Sequence, residues 1–372
     1  MIYLDYSANT PVDARVLEQF CAVERRCIGN ANSHHQAGSA AKAEIDAATI
    51  KIASLLGVQP AEIIYTSGAS EANNFALKGL ARLSRHAGRH IISTPLEHSS
   101  VSGTLTALQE QGYEIDLLDV KQDGTVDLEH LKDLLRPDTI CVAITLVDSE
   151  LGVQPVQEIA AILKAYPHCH LHVDATQAVG KIPVSFEGVD TMSLTAHKFY
   201  GLNGIGLLIK RRNLALEPLI HGGESTTIYR SGTPTVALAS SLACALELAV
   251  ENLPERSASV QKRNAELRAA LCQHPEVRIN SPENAIPHIL NLSVQNVKGT
   301  VFQRELDAHG VCVSVKSACS SDGMPSKAVF AVSRDRRNAL SSWRISLSHL
   351  TTEQEITDFM QAFDACYNAL TQ

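Results

Sequence analysis

Several features that mark other protein classes are missing from this chain of 372 residues. Lys and Arg total 32 against 40 for Asp and Glu, and the formal charge of −8 gives no electrostatic reason to expect nucleic acid or an anionic membrane as a partner. The longest apolar runs, such as Ile140 to Val147, are far shorter than a membrane-spanning helix. The start, MIYLDYSANTPVD, has neither the basic nor the apolar region of a secretion signal. We therefore expect a cytoplasmic protein that acts on a small molecule.

Signals for disulfides and flexible linkers are missing too. The nine cysteines are an odd number, and none stands in a C-x-x-C pair. This pattern is typical of free thiols in a reducing compartment, where most cysteines are buried as small apolar side chains. Internal repeats, low-complexity tracts and Gly/Ser-rich linkers are absent from the sequence. The parts of the chain are therefore expected to pack closely together.

Short aliphatic runs alternate with helical patterns between residues 40 and 210. This alternation predicts an α/β fold in which helices cover a mainly parallel sheet. The predicted strands are Glu62–Thr66, His90–Thr94, Ile115–Leu118, Ile140–Val147, His170–Val173, Met192–Leu194 and Ile205–Ile209. A helix is predicted over Ala40–Leu56, because Ile45, Ile52 and Leu55 share one face and Gly57 follows as a stop.

The pattern changes after Gly232. Two long helical stretches and several short strands are predicted there: Val236–Asn252, Glu255–His274, Val277–Ile279, Ile289–Val294, Val311–Val315 and Arg344–Leu347. We expect a large domain over residues 1–254 and a smaller α+β domain over residues 255–372, with residues 1–15 packing on the smaller one. The cleft between the two domains is the expected binding site.

The first candidate binding element is a small-residue turn that leads from an apolar strand into a helix. It covers Thr66, Ser67, Gly68, Ala69, Ser70 and Glu71. Such a turn directs backbone N–H groups and the positive helix end towards an anion, so Gly68, Ala69 and Ser70 are candidates to bind a phosphate. Taken alone, the turn is equally well explained as an ordinary helix N-cap.

Two residues at strand ends favour the binding interpretation. Asp174 follows the predicted strand His170–Val173, and Lys198 follows the strand Met192–Leu194. Ligands bind at the carboxyl ends of strands in open α/β sheets. A carboxylate there can pair with a protonated pyridine nitrogen, and a lysine amine can form a Schiff base with an aldehyde. Each residue alone could be a helix cap or a surface charge, but with the phosphate turn they supply what pyridoxal phosphate requires.

Further short motifs lie along nearly the whole chain. They are Tyr3-Leu4-Asp5-Tyr6-Ser7-Ala8-Asn9-Thr10-Pro11, Gly29-Asn30 with His35, Thr66-Ser67-Gly68-Ala69-Ser70-Glu71, Glu97-His98, Asp174-Ala175-Thr176-Gln177, Ala196-His197-Lys198, Arg230-Ser231-Gly232-Thr233, Ser317-Ala318-Cys319-Ser320-Ser321 and Arg344-Ile345-Ser346-Leu347. In this order they resemble the cysteine desulfurases of the NifS/IscS type, class V aminotransferases among the fold-type I pyridoxal-phosphate enzymes. The resemblance implies a seven-stranded, mainly parallel sheet between helices and a smaller C-terminal domain that carries the catalytic cysteine.

The resemblance also implies a role for individual residues. Lys198 is implied to hold the cofactor covalently, and Arg344, with Asn9, to bind the substrate. The other implied contacts to the cofactor are stacking by His98, which is also expected to act in catalysis, pairing of the ring nitrogen by Asp174, hydrogen bonding of the ring hydroxyl by Gln177, and binding of the phosphate by Ala69, Ser70, Thr195 and His197. Thr233 is implied to reach the phosphate of a neighbouring subunit, which predicts a homodimer.

The segment around Cys319 narrows the predicted reaction. Cys319 stands among small polar residues after the predicted strand Val311–Val315, where an exposed loop is expected. We predict that L-cysteine displaces Lys198 from the cofactor, that Lys198 moves the Cα proton, and that the Cys319 thiolate attacks the substrate sulfur. The products would be alanine and a persulfide on Cys319. An acceptor protein would then take the sulfur, for iron–sulfur clusters, thiolated RNA bases or another cofactor.

Four places depart from the pattern of the family. Ser149 replaces the asparagine expected to contact the cofactor hydroxyl, although a water can extend the shorter side chain. Residues His221–Tyr229 differ from the usual Glu-Arg-Gly run, Lys316 stands where glycine is common, and Asn9 stands where threonine is usual. None of these changes removes a catalytic side chain, but they leave details of substrate or partner open.

Other readings of the sequence stay open at this point. His168, Cys169, His170 and His172 suggest a metal site, since the three histidines alternate along one strand and share a face, but no acidic or cysteine ligand set accompanies this segment and we expect no metal. Selenocysteine lyase, cysteine sulfinate desulfinase and β-eliminating lyase activities would keep the cofactor and dispense with Cys319. A non-catalytic scaffold for sulfur-transfer partners is disfavoured by the intact set of Lys198, Asp174, His98 and Arg344.

Overall fold

The computed structural model describes residues 1–315 and 324–371. Its strands are β1 Ile2–Tyr3, β2 Ile63–Thr66, β3 His90–Ser93, β4 Glu114–Leu117, β5 Thr139–Thr145, β6 His170–Asp174, β7 Thr191–Thr195, β8 Gly206–Lys210, β9 Val277–Ile279, β10 Ile289–Val294, β11 Val311–Cys312 and β12 Ser342–Ser346. Seven of these form one sheet in the order β2-β8-β7-β6-β5-β3-β4. Strand β8 runs antiparallel to both of its neighbours, and the other pairs are parallel. The predicted mainly parallel sheet is therefore present.

Helices cover both faces of this sheet. The helices are α1 Ala14–Arg26, α2 Gln36–Leu56, α3 Ala69–Ser84, α4 Ser99–Gln109, α5 Leu128–Leu134, α6 Val156–Leu163, α7 Val236–Glu251, α8 Leu253–Leu271, α9 Gly299–Ala308, α10 Lys327–Ser333, α11 Arg336–Ser341 and α12 Glu353–Thr371. Along β8, Leu207 and Ile209 pack in the core with α1, α2 and α7, while Leu208 packs with α3 and α4 on the other face. Because both faces are buried, the strands read as continuous apolar runs rather than as alternating ones.

The C-terminal part of the chain has a core of its own. Strands β12, β10 and β9 form an antiparallel sheet, and stacked aromatic rings of Phe302 and Trp343 lie in the core beneath it together with Phe363. The predicted boundary after residue 254 lies in the first turn of α8. The division into domains at that point stays a prediction.

The N-terminal segment contacts both parts of the molecule. Strand β1 pairs in parallel with β11, and Ser346 donates its N–H to the Leu4 carbonyl at 2.7 Å. A few residues later, the Thr10 N–H donates to the His197 carbonyl at 3.0 Å, beside the end of β7. The segment thus links the small antiparallel sheet to the edge where the parallel strands end.

One predicted strand is shorter than expected. The strand predicted over Val311–Val315 ends at Cys312. After Cys312 the chain leaves β1, and Ser314 exchanges two backbone hydrogen bonds with Arg344 on β12 instead. In the described part of the chain, no single helix is long and apolar enough to cross a membrane. The bent pair of α7 and α8 meets the requirement for a membrane span by length and composition only.

Candidate active site

The turn after β2 has the geometry of an anion-binding helix end. Gly68 adopts φ +155°, and α3 begins at the next residue. Gly206 on the neighbouring strand passes so close that a Cβ there would lie 2.7 Å from the Gly68 Cα. The close approach of the two glycines holds the turn against β8. It directs the first backbone N–H groups of α3, at Ala69 and Ser70, to the edge where the strands end.

Asp174 and Lys198 are brought together by neighbouring strands. Asp174 is the last residue of β6, and Lys198 lies in a 3₁₀ turn, Ala196–Lys198, directly after β7. Because β6 and β7 are adjacent and parallel, their carboxyl ends open into the same space. Tyr200 follows this turn at φ +68°, in the left-handed region, and its N–H donates to Thr10 Oγ1 at 2.8 Å.

A cavity of about 370 Å³ opens between these elements. Most of the side chains predicted from the sequence line it: Ala69, Ser70, His98, Ser149, Asp174, Gln177, Thr195, His197, Lys198 and Arg344. Other lining residues that the sequence did not suggest include Ser7, Ala8, Leu96, Thr145 and Thr176. The cavity therefore combines an amine, a carboxylate, a guanidinium and a helix N-terminus within one small volume.

Lys198 is held by the N-terminal segment. Its Nζ donates to the carbonyl oxygens of Ser7 and Ala8, each at 2.7 Å. Gln177 approaches the same segment, because its Nε2 donates to the Ser7 carbonyl at 2.9 Å and its Oε1 accepts from the buried amine of Lys181 at 2.6 Å. Burial lowers the pKa of Lys181 well below its usual range, and the nearby charges of Lys198 and Arg344 lower it further.

Four buried side chains, Asn73, His172, Asp174 and Ser193, form what we call the sheet cluster. Asn73 Nδ2 donates to Asp174 Oδ2 at 2.8 Å, and the other carboxylate oxygen accepts from the Thr176 N–H at 2.9 Å. Ser193 and His172 both contact Asn73 Oδ1. Each oxygen of Asp174 is thereby fixed by an N–H donor.

His98 lies at the N-terminus of α4, with its ring fixed by Ser100. The backbone N–H of Ser100 donates to His98 Nδ1 at 3.1 Å, and the Ser100 hydroxyl lies 2.8 Å from the same nitrogen. Burial lowers the pKa of His98, partly offset by the charge of Asp174. Burial likewise lowers the pKa of His197 to about 4, aided by Lys198 and Lys181. Both rings are therefore neutral near pH 7.

Arg344, Asp5 and Ser149 form what we call the junction cluster. Arg344 Nη2 donates to Asp5 Oδ1 at 3.0 Å, and Nη1 donates to the Ser149 carbonyl at 3.1 Å. The Arg344 side chain is only 2% exposed. Its Nε is also buried and has no hydrogen-bond partner among the residues that the structure describes. The guanidinium thus has donors left for a ligand in the cavity.

Two of the predicted site residues that the structure describes, Asn9 and Thr233, are not among those that line the cavity. Asn9 is exposed, and its side chain donates to the neighbouring Thr10 carbonyl at 3.1 Å. Thr233 is exposed as well, on the segment after Arg230. Cys319 lies outside the described residues. The roles predicted for these three residues stay predictions.

The three histidines that suggested a metal site have different surroundings. His168 is exposed, His170 faces Asp190 at 3.8 Å, and His172 is fully buried in the sheet cluster. Within residues 1–315 and 324–371, no group of three or more His, Cys, Asp or Glu side chains is arranged to hold a metal ion.

The amino-acid sequence matches the family model of the class-V aminotransferases over residues 2–359. It is 41% identical to a cysteine desulfurase IscS of Proteus mirabilis over 366 residues, which covers 95% of this chain and 90% of the relative. The chain belongs to the cysteine desulfurases of the class-V aminotransferase family. A solved NifS-like protein superimposes with a TM-score of 0.92 at 36% identity and covers 100% of this chain and 99% of its own. The structure of SspA in complex with cysteine gives a TM-score of 0.83 at 32% identity, over 95% of this chain and all of its own.

The comparisons confirm the predicted family and the fold of fold-type I pyridoxal-phosphate enzymes, and the cofactor of this family is pyridoxal phosphate. The cavity residues fit that group by their own chemistry. The α3 N-terminus suits a phosphate, Asp174 suits a protonated ring nitrogen, and Lys198 is a primary amine. Thr176 adds a buried hydroxyl without a hydrogen-bond partner in the described part of the chain.

Sequence reasoning missed the groups that hold the cofactor-site side chains in place. Asn73 follows the phosphate turn within α3, and nothing in the helical sequence around it marks it as a site residue. Asp5 contacts Arg344 across 339 positions of sequence. His172 had one usable signal, because it stands two residues before Asp174 on the same strand and therefore on the same face.

Proposed function

We propose that this protein is a pyridoxal-phosphate-dependent cysteine desulfurase whose cavity binds L-cysteine and passes its sulfur to Cys319. The observation that carries the proposal is the meeting of Lys198, Asp174 and Arg344 in one cavity of about 370 Å³. An amine, a carboxylate and a buried guanidinium are the groups needed to hold the cofactor aldehyde, its ring nitrogen and an amino-acid carboxylate.

The residues that would hold the cofactor divide by the part they contact. The phosphate would bind to Ala69, Ser70, Thr195 and His197, with Thr233 of a second subunit. Asp174 would pair with the ring nitrogen, His98 would stack on the ring, and Gln177 and Ser149 would lie near the ring hydroxyl. When bound, the cofactor withdraws electrons from the α-carbon of an attached amino acid.

Lys198 has two proposed tasks in the reaction. Its amine would hold the cofactor at rest, and during the reaction it would carry the Cα proton of the substrate. The carbonyls of Ser7 and Ala8, each 2.7 Å from Nζ, fix a position for this amine on the cavity wall. Arg344 would orient the substrate by its carboxylate, with its guanidinium held by Asp5 and the Ser149 carbonyl.

Sulfur transfer would use the thiolate of Cys319. This thiolate attacks the substrate sulfur, an S–S bond forms and the Cβ–S bond breaks, leaving its electron pair on the carbon skeleton. Proton transfer to Cβ and return of a proton from Lys198 to Cα would then give L-alanine, and Cys319 would hold a persulfide. The supporting observation in the sequence is the small polar segment around Cys319, since a nucleophilic thiol needs access to substrate.

The direct test is mass spectrometry of the purified holoenzyme after addition of L-cysteine. We expect Lys198 to carry the cofactor before substrate is added and Cys319 to carry one additional sulfur afterwards, with alanine released. Cys319→Ala should lower the rate of alanine formation by about a hundredfold or more. The matched control is Cys272→Ala, because Cys272 is an exposed free thiol elsewhere on the surface.

The two variants separate the competing reactions. If Cys319→Ala forms alanine from cysteine at the wild-type rate, Cys319 is not the nucleophile. Assays with selenocysteine and cysteine sulfinate then identify a lyase or desulfinase, since neither of those reactions requires a nucleophilic thiol. If no absorbance band at about 400 nm stays with the protein after unbound pyridoxal phosphate has been removed, the proposed enzyme is contradicted altogether.

We further propose a homodimer, a sulfur-acceptor protein as partner and a cytoplasmic location. The exposed position of Thr233 supports a contact with a second subunit. The eight cysteines in the described residues all have free thiols, which supports a reducing compartment. Mixed dimers test the shared site: one Lys198→Ala subunit and one Thr233→Ala subunit together rebuild one intact site, so coexpression should restore activity that Lys198→Ala lacks.

A further inference from the structure

Asn73 occupies the centre of a network that connects two proposed cofactor contacts. It is fully buried in α3 and faces the ends of β6 and β7. Its Nδ2 donates to Asp174 Oδ2 at 2.8 Å and to Ser100 Oγ at 2.9 Å. Its Oδ1 is contacted by Ser193 Oγ and, at 3.0 Å, by His172 Nε2. Both hydrogens and both lone pairs of this amide are therefore used.

The Asp174 carboxylate determines which way the Asn73 amide faces, and His172 holds the amide in that orientation. His172 Nε2 meets the amide oxygen, which only accepts, so Nε2 must carry the hydrogen. Burial lowers the pKa of His172 to about 4, against the opposing effect of Asp174, so the ring is neutral. Its Nδ1 then accepts from the Thr191 hydroxyl at 2.9 Å. If the Asn73 amide were turned round, its oxygen would face the Asp174 carboxylate, and the repulsion between the two oxygens excludes that orientation.

The same amide also reaches His98. Ser100 Oγ accepts from Asn73 and is left to donate its own hydrogen to His98 Nδ1, 2.8 Å away. One oriented amide thus fixes the carboxylate proposed for the ring nitrogen and, through Ser100, the imidazole proposed to stack on the ring.

We propose that His172 and Asn73 are positioning residues, and that His172 fixes the Asn73 amide so that it holds Asp174 for the cofactor ring nitrogen. The inference rests on the proposed function, because it needs pyridoxal phosphate in the cavity. It assigns His172 to the support of Asp174, away from metal binding.

The test compares two ligands of the apoprotein: pyridoxal phosphate and its 1-deaza analogue, in which a C–H replaces the ring nitrogen. Dissociation constants are measured by equilibrium dialysis for wild type and His172→Leu. Asp174 can pair only with a ring nitrogen. We therefore expect His172→Leu to raise the dissociation constant of pyridoxal phosphate roughly tenfold and to change that of the analogue less than about twofold.

The matched control is His90→Leu. His90 is also fully buried on a strand of the same sheet, with Nδ1 2.8 Å from Thr139 Oγ1 and Nε2 3.1 Å from Asp116 Oδ2, so its hydrogen bonds go to neither Asn73 nor Asp174. His90→Leu should leave both dissociation constants unchanged. Ser193→Ala is a milder second variant, since it removes one of two donors to Asn73 Oδ1. It should raise the dissociation constant of pyridoxal phosphate about threefold and leave that of the analogue unchanged.

The outcomes are distinct. Equal weakening of both ligands by His172→Leu and by Ser193→Ala, or no weakening by either, overturns the positioning role. A wild-type protein that binds neither ligand, or binds the two equally well, would contradict the proposed cofactor site itself. Selective loss of affinity for pyridoxal phosphate in both variants, with His90→Leu unchanged, supports the proposal.

Discussion

The sheet cluster and the junction cluster meet at the same cavity but are assembled from different parts of the chain. The sheet cluster joins side chains on β6, β7 and α3, neighbours in one sheet-and-helix layer, and each oxygen of Asp174 in it has a donor. In the junction cluster, Arg344 reaches Asp5 across 339 positions and the Ser149 carbonyl across 195.

This difference predicts that the two clusters have different functions in the reaction. The sheet cluster lies within the parallel sheet, so we expect it to hold the groups that act on the cofactor in fixed positions. The junction cluster exists only when the N-terminal segment, the strand β12 and the segment after β5 have come together, so it should govern how substrate is bound. Changes in the sheet cluster should therefore lower kcat, and changes in the junction cluster should raise KM.

The largest effect is expected from Asp174→Asn in the sheet cluster. A neutral amide cannot balance the charge on a protonated ring nitrogen, so kcat for alanine formation should fall by about a thousandfold, or about 4 kcal/mol in activation free energy. Steady-state kinetics with L-cysteine measures it. Asp116→Asn is the control, because Asp116 contacts buried His90 away from the cavity. If kcat keeps its wild-type value, Asp174 does not act on the ring.

The next largest effect should come from Arg344→Lys in the junction cluster. An ammonium cannot contact Asp5, the Ser149 carbonyl and a substrate carboxylate together as the planar guanidinium does. We expect KM for L-cysteine to rise roughly a hundredfold, about 2.7 kcal/mol, with pyridoxal phosphate still bound. Arg82→Lys, at an exposed ion pair with Glu217, should leave KM unchanged. A large loss of kcat at constant KM would contradict the assignment of substrate binding to the junction cluster.

The same contrast explains what the sequence could predict. Asp174 and Lys198 were identifiable because each follows a short apolar strand, and parallel neighbours bring strand ends together. The strand predicted over His170–Val173, which the structure extends to Asp174, and the helix ending before Gly57 were found for the same local reason. Local patterns carry this information, since hydrophobic period and stop signals are set within a few residues.

The junction cluster could not be predicted in this way. Its contacts depend on where the N-terminal segment lies, and the two-residue strand Ile2–Tyr3 is too short to give a period. Helix Ala14–Arg26 was also missed, and of its 13 residues only Val16 and Val23 are buried. Pairing across the whole chain is decided by tertiary packing, on which local pattern is silent.

A smaller effect is expected from His288, which lies near the junction cluster, on how the free energy of unfolding depends on pH. His288 is buried beside β12, where the Leu347 N–H donates to its carbonyl at 2.8 Å, and burial with the charge of Lys181 and the neighbouring His349 lowers its pKa to about 3. The unfolded chain takes up this proton below about pH 6.5, whereas the folded chain keeps the ring neutral. Falling pH therefore favours unfolding.

His288→Asn should remove this contribution, about 1.4 kcal/mol per pH unit between roughly pH 6 and 4.5. Urea unfolding at several pH values measures the slope of the free energy of unfolding. His168→Asn, at an exposed histidine, should keep the wild-type slope. An unchanged slope in His288→Asn would show that other groups account for acid sensitivity.

The smallest predicted effect isolates Asp5, the one member of the junction cluster that does not line the cavity. Asp5 Oδ1 accepts from Arg344 Nη2 at 3.0 Å, and Oδ2 accepts from Ser314 Oγ at 2.7 Å. Asp5→Asn keeps the size of the side chain and removes its charge, so the guanidinium loses a charge-assisted hydrogen bond and part of its orientation. KM for L-cysteine should rise about fivefold, close to 1 kcal/mol, at nearly constant kcat.

The sign of this change decides between two roles of Asp5. A rise in KM means that Asp5 orients Arg344 for the substrate, whereas a fall in KM means that Asp5 competes with the substrate carboxylate for the same guanidinium. Asp46→Asn, at an exposed pair with Lys42, is the control and should leave KM unchanged. Because Asp5 contacts Arg344 without lining the cavity, a rise in KM alone would show that binding of substrate depends on how the N-terminal segment is seated against β12.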